Sequence, residues 1–158
     1  MLLLWLTGIA ALGLSAGITW YVAPLEPGVL TLQMAFTPRS FGEVIHFWSA
    51  GQLARYRVYL GADFALLLSY GSLGYLLGSR TKVFHTLSPA LRRAATWALP
   101  LAAILDATEN AFHLWLTEVP RFGLQLPYLL AASCATLKWL LILAYALTLV
   151  FALARAED

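Results

Sequence analysis

Asp106, Glu109, Asn110 and His113 occupy the i, i+3, i+4 and i+7 positions of one apolar stretch. On an α-helix they form a single polar stripe about 100° wide or less. Two carboxyl groups, an amide and an imidazole on one stripe can move a proton, hold a cation, or bond to neighbouring helices. The setting makes the pattern costly, because a charged side chain at the centre of a bilayer costs on the order of a few kcal/mol. Residues placed there normally face the protein interior and mark a site, a relay or a structural network.

The chain around the stripe is that of a membrane protein. Of its 158 residues, 61% are hydrophobic and 11% charged, whereas a soluble domain carries about 25% charged residues. Its length suits one transmembrane domain, 1–158. The net charge of +2 is small and scattered, which excludes nucleic acid as a partner. The single cysteine, Cys134, excludes an intrachain disulfide and any cysteine-based zinc or iron–sulfur centre. No phosphate loop, nucleophile elbow or soluble-cofactor motif is present. A second histidine at matching depth is also missing, which excludes haem ligation. The motifs identify no cofactor and leave any metal, and enzymatic activity itself, undetermined.

Four segments have the roughly 20 apolar residues that a membrane helix needs: about 2–22, 57–78, 94–117 and 127–153. The expected fold is all-α, a polytopic four-helix membrane bundle. Small residues at helical spacing, Gly13 and Gly17, Gly71, Gly74 and Gly78, Ala131 and Ala135, are expected to let backbones approach. The first segment lacks the basic flank and cleavage site of a signal peptide and is expected to remain as a helix. Arg80, Lys82, Arg92 and Arg93 crowd the short 79–93 connection. That density favours the cytoplasmic side for the connection and for both termini.

The 23–56 connection is patterned. Phe41, Val44, Ile45 and Trp48 repeat at helical spacing, with Arg39, Glu43 and Gln52 off that face. This predicts an interfacial amphipathic helix over about 40–51. Its start is a Ser40-x-x-Glu43 capping box or, alternatively, Thr37-Pro38, and Gly51 is its stop. The preceding 29–36 run reads as extended. His46 and His85 fall in loops and carry little chemistry.

The other spans also carry polar residues. Tyr56, Tyr59, Asp63, Tyr70 and Gly74 share one face of the second. Lys138 lies mid-way along the fourth, with Cys134, Ala135 and Tyr145 on its side. At 1.5 Å per residue, Asp63 and Glu109 lie roughly 10 Å, and Asp106 and Lys138 roughly 16 Å, from the end bearing the first and third loops. Matching depth predicts the pairs Asp106–Lys138 and Asp63–Glu109. One ammonium against three carboxylates leaves two negative charges if all are ionised. A bound cation, protonated carboxyls or entry of water would answer that excess.

These elements resemble a largely uncharacterised group of small bacterial four-helix inner-membrane proteins. The residues that carry the resemblance are Phe41 through Trp48, Asp63-Phe64 with Tyr70, Asp106-x-x-Glu109-Asn110, and Lys138-Trp139. It implies a shared polar core and brings no activity. An architectural likeness to sterol-isomerase-like membrane folds implies intramembrane acids and aromatics around a lipid.

Two functions are expected to compete. In the first, Asp63, Asp106 and Glu109 transfer protons or hold a cation for a lipid-soluble ligand. Asn110 and Lys138 orient and tune them, and Tyr59, Tyr70, Trp48 and His113 complete the wall. In the second, the chain is an accessory or scaffold subunit beside a membrane-protein partner and the cluster is structural. A proton or cation conductor is a third, weaker class, since four helices enclose little space.

Overall fold

Capping residues and prolines fix where the helices begin. Thr37 accepts from the Ser40 backbone N–H at the start of one helix, and Ser49 accepts from that of Gln52 at the start of the next. In both, the side chain three residues on reaches back to the cap N–H, so two orphan donors are satisfied reciprocally. Ser88 caps a third helix, with Pro89 in its first turn, and Pro127 opens the last.

The computed structural model describes residues 1–155. Among them it is entirely helical, with six helices: α1 Leu2–Val22, α2 Val29–Gln33, α3 Pro38–Phe47, α4 Ala50–Arg80, α5 Pro89–Glu118 and α6 Leu126–Ala154. Residues 156–158 of the expected domain lie outside that range.

Three helices, α1, α4 and α6, are long and apolar enough to cross a membrane, which makes this a membrane protein. The fourth expected span forms as α5, 30 residues long, but it does not reach the same apolarity. Asp106, Glu109, Asn110 and His113 lower its mean hydropathy. The sequence estimate gave their helix more apolar character than these residues allow.

Packing follows chain order, with α1 on α4, α4 on α5 and α5 on α6. The α4–α5 crossing is close because glycines face it. A Cβ on Gly71 would lie 3.0 Å from the Ala103 Cβ, and one on Gly74 only 2.5 Å from that of Leu99. Ala131 and Ala135 are buried as expected. Gly13 and Gly17 depart from expectation: nothing of the chain lies within 4 Å of a Cβ built on either. Helix α1 touches the rest along one narrow side, and its remaining surface is exposed.

The first connection differs in three ways from its sequence reading. The 29–33 run is a short helix, α2, whose buried Gln33 accepts from the Trp139 indole N–H at 3.2 Å. The amphipathic helix begins at Pro38 after the Thr37 cap, the alternative start, rather than at a Ser40–Glu43 box, and it stops at Phe47. Gly51 does not end it. Ser49 reopens the chain as α4, and Gly51 and Gln52 lie in the first turn of that longer helix. His46 is therefore helical, its Nδ1 2.7 Å from the Gly42 carbonyl.

Helix α3 folds over one end of the assembly. Phe122, from the α5–α6 connection, packs against Gly42 where any side chain would collide with it. Gln125 donates to the Phe36 carbonyl at 2.8 Å. Arg55 ties the end of α1 to α4 by donating to the Tyr21 carbonyl and lying over the Tyr21 ring.

Candidate functional site

The α4, α5 and α6 faces expected to carry polar groups do converge. Asp63, Asp106, Glu109, Asn110, His113 and Lys138 are all buried, Glu109 and Asn110 completely. Lys138 stands between two acids of α5. Its Nζ donates to Asp106 Oδ1 at 2.5 Å and lies 2.7 Å from Glu109 Oε2. The second contact is an ion pair by distance, although its angles depart from hydrogen-bond geometry. Tyr70 from α4 donates to the other Asp106 oxygen at 3.0 Å. Asp106 thus receives one bond from each neighbouring helix.

The Asp106–Lys138 pair forms as depth matching predicted. The Asp63–Glu109 pair does not. Asp63 Oδ2 instead accepts from Asn110 Nδ2 at 2.8 Å, while Glu109 turns towards Lys138. Matching depth placed Asp63 and Glu109 at one level, but position around the helix decides partners. Asn110, one residue further on, points about 100° away from Glu109 and towards α4. Amide and carboxylate make a satisfied pair, whereas two carboxylates facing each other would repel.

Three acceptors in this cluster receive no hydrogen bond: Asn110 Oδ1 and both Glu109 oxygens, of which Oε2 has only its ion pair with Lys138. His113 Nδ1 lies 3.9 Å from Glu109 Oε1. That same nitrogen lies 2.6 Å from the Tyr56 hydroxyl. His113 therefore belongs to the network as an arm leading from the acids towards the α3-covered end.

An aromatic layer closes that end. The Trp48 ring is 5.0 Å from Tyr56, and Tyr59 is 5.5 Å from Tyr56 on the other side. Phe41 of α3 lies 5.6 Å from His113 and 5.1 Å from Tyr128. Trp48 was expected in the wall of the pocket. It sits one layer out, with its indole N–H donating to the Pro27 carbonyl. Tyr59 likewise packs in the aromatic layer, whereas Tyr70 reaches the acids. Sequence reasoning left out Tyr56, Phe41 and Tyr128 as site members. Tyr56 was visible in principle, since it lies seven residues before Asp63 on the same face. Nothing in the sequence signals that Tyr128 joins them.

Among the described residues, no three His, Cys, Asp or Glu side chains are arranged to hold a metal ion. Surface clefts lie beside α3 and Phe122 and along α4 and α5, and none of these is lined by the six polar residues of the cluster. The arrangement offers a shared ammonium, a hydrogen-bonded acid–amide pair and a carboxyl group, that of Glu109, which receives no hydrogen bond. That set can bind and release a proton or a small cation. The chain matches no family model, no curated protein and no solved structure.

Proposed function

We propose that the chain is a four-helix, multi-pass protein of the bacterial inner membrane with both termini in the cytoplasm. Its buried acid–amide–lysine cluster binds a lipid-soluble ligand or a cation and exchanges a proton with it. One observation carries this reading: three carboxyl groups are gathered around a single ammonium, and only two of them contact it. A buried cluster with that imbalance requires a further positive charge, either a proton or a cation. Glu109 is the natural exchanging group, because neither of its buried oxygens receives a hydrogen bond. Asp106 is held by Lys138 and Tyr70, and Asp63 by Asn110.

Infrared difference spectroscopy of the detergent-solubilised protein tests this directly. Titration should reveal the carbonyl stretch of a protonated carboxylic acid that disappears in Glu109→Gln and persists in a folded Glu118→Gln control. A spectrum unchanged by Glu109→Gln, with no stabilisation by sodium or potassium in thermal unfolding, would sink the proposal.

The direct contact of Lys138 with Asp106 favours a second reading, in which the cluster is a structural clamp in an accessory or scaffold subunit. Native mass measurement in mild detergent separates the two. A stable monomer that still folds with Asp106→Asn and Glu109→Gln opposes the clamp. A co-purifying membrane protein, lost together with folding in those variants, supports it.

A further inference from the structure

A cleft that none of the cluster's acids lines runs along the α4–α5 crossing. Gly71 and Tyr75 line it from α4, and Trp97, Pro100, Ala103 and Ala107 from α5, with Leu3 of α1 closing one edge. Its walls are apolar, and its volume is about 630 Å³. It exists because Gly71 lets the two backbones approach while Ala103 and Ala107 withhold bulk on the facing helix. From Trp97 to Ala107 it extends about 15 Å at 1.5 Å per residue. That equals one leaflet of a hydrocarbon core about 30 Å thick.

The two ends of the cleft differ in chemistry. At the shallow end Tyr75 and Trp97 meet edge to face, ring centres 5.4 Å apart and both half-exposed. Aromatic residues with polar tips favour the level of the lipid headgroups. One helical turn beyond them come Arg93, four residues before Trp97, and Arg80, four residues after Leu76 of the cleft wall. Since α4 and α5 run antiparallel, both arginines emerge at the same end, and both are exposed. The sequence holds no acidic residue between Asp63 and Asp106. None of the ion pairs among the described residues includes Arg80, Lys82, Arg92 or Arg93.

From this juxtaposition we infer that the cleft is a binding site for an anionic phospholipid. One acyl chain lies along Trp97 to Ala107, and the phosphate headgroup is held by Arg80 and Arg93. The charge at the mouth selects the headgroup. The one-leaflet length and apolar lining select a chain rather than a free anion. The site is independent of the acid–lysine cluster.

The test uses the full chain in mild detergent with equimolar phosphatidylglycerol and phosphatidylcholine of identical acyl chains, read by native mass spectrometry. The wild type should retain phosphatidylglycerol in preference. Replacing Arg80→Gln and Arg93→Gln should lower that preference roughly fivefold for each arginine, leaving phosphatidylcholine retention unchanged. Ala107→Phe, which fills the deep end, should abolish retention of both while circular dichroism stays helical. Should that variant misfold, phosphatidylglycerol brominated on the acyl chain close to its ester should quench wild-type tryptophan fluorescence by an amount lost in Trp97→Phe. Equal retention of the two lipids overturns the inference. So does an arginine-independent preference, quenching unaffected by Trp97→Phe, or displacement of the lipid by inorganic phosphate alone.

Discussion

Asp63 and Asn110 join α4 to α5 through one 2.8 Å hydrogen bond between buried side chains, and this leaves Lys138 free to serve the other two acids. The division of labour makes Lys138 the residue whose removal the cluster tolerates least. Lys138→Met strands two carboxyl groups and should destabilise the protein by about 3–5 kcal/mol. Adding Asp106→Leu and Glu109→Leu to that variant should recover most of the loss, because a well-packed apolar replacement of a buried ion pair is often neutral. Denaturant unfolding in detergent measures both. A fully stable Lys138→Met would show that the ammonium is dispensable.

The Tyr56–His113 bond, 2.6 Å long and fully buried, links the acids to the aromatic layer. A double-mutant cycle of Tyr56→Phe and His113→Ala should give a coupling of about 0.6 kcal/mol, and no more than about 1.7 kcal/mol, the range for polar contacts between membrane helices. A coupling near zero would mean that the short distance carries no energy.

Glycines at the α4–α5 crossing and in α1 should respond oppositely to the same change. Gly74→Ala places a methyl 2.5 Å from the Leu99 Cβ and should destabilise by about 1–3 kcal/mol through forced backbone movement. Gly13→Ala meets open space and should be neutral or gain up to about 1 kcal/mol from helix propensity. Thermal unfolding of the two variants side by side checks the contrast.

At the covered end, Thr37 is the residue that starts α3. Thr37→Ala should loosen that helix by about 1 kcal/mol and raise amide hydrogen exchange across 38–47 about fivefold. Exchange in α5 and α6 should stay as in the wild type. Uniform loosening of the whole protein would instead show that α3 is part of the same cooperative unit.

Much of this was legible in residue spacing. Asp106, Glu109, Asn110 and His113 lay on one stripe because helical periodicity is local information, and it survives in the structure unchanged. The Asp106–Lys138 contact was legible because depth along antiparallel helices follows from counting residues. The Asp63–Asn110 contact was not, since counting gives height and says little about rotation around each axis. Gly51 misled for a related reason. Glycine is a common helix stop, but the Ser49–Gln52 capping box starts α4 beneath it, and the longer helix wins. The open surroundings of Gly13 and Gly17 were invisible because a small residue marks a place where a helix can approach, without supplying the helix. The burial of Gln33 against Trp139 depends on a contact across 106 positions, beyond the reach of any local pattern.

The polar face of α5 also bears on how the protein is made. Helices α1, α4 and α6 are long and apolar enough to cross a membrane; α5 does not reach that apolarity. Glu109 is synthesised 29 positions ahead of Lys138, an interval of about 1–6 s at ribosomal elongation rates. During that interval the α5 acids have no counter-charge from within the chain. On the four-span reading, α5 must wait beside the translocon or an insertase, paired with α4 through Asn110 and Asp63, until the second half of α6 emerges. Insertion order is thereby written into the position of a single lysine.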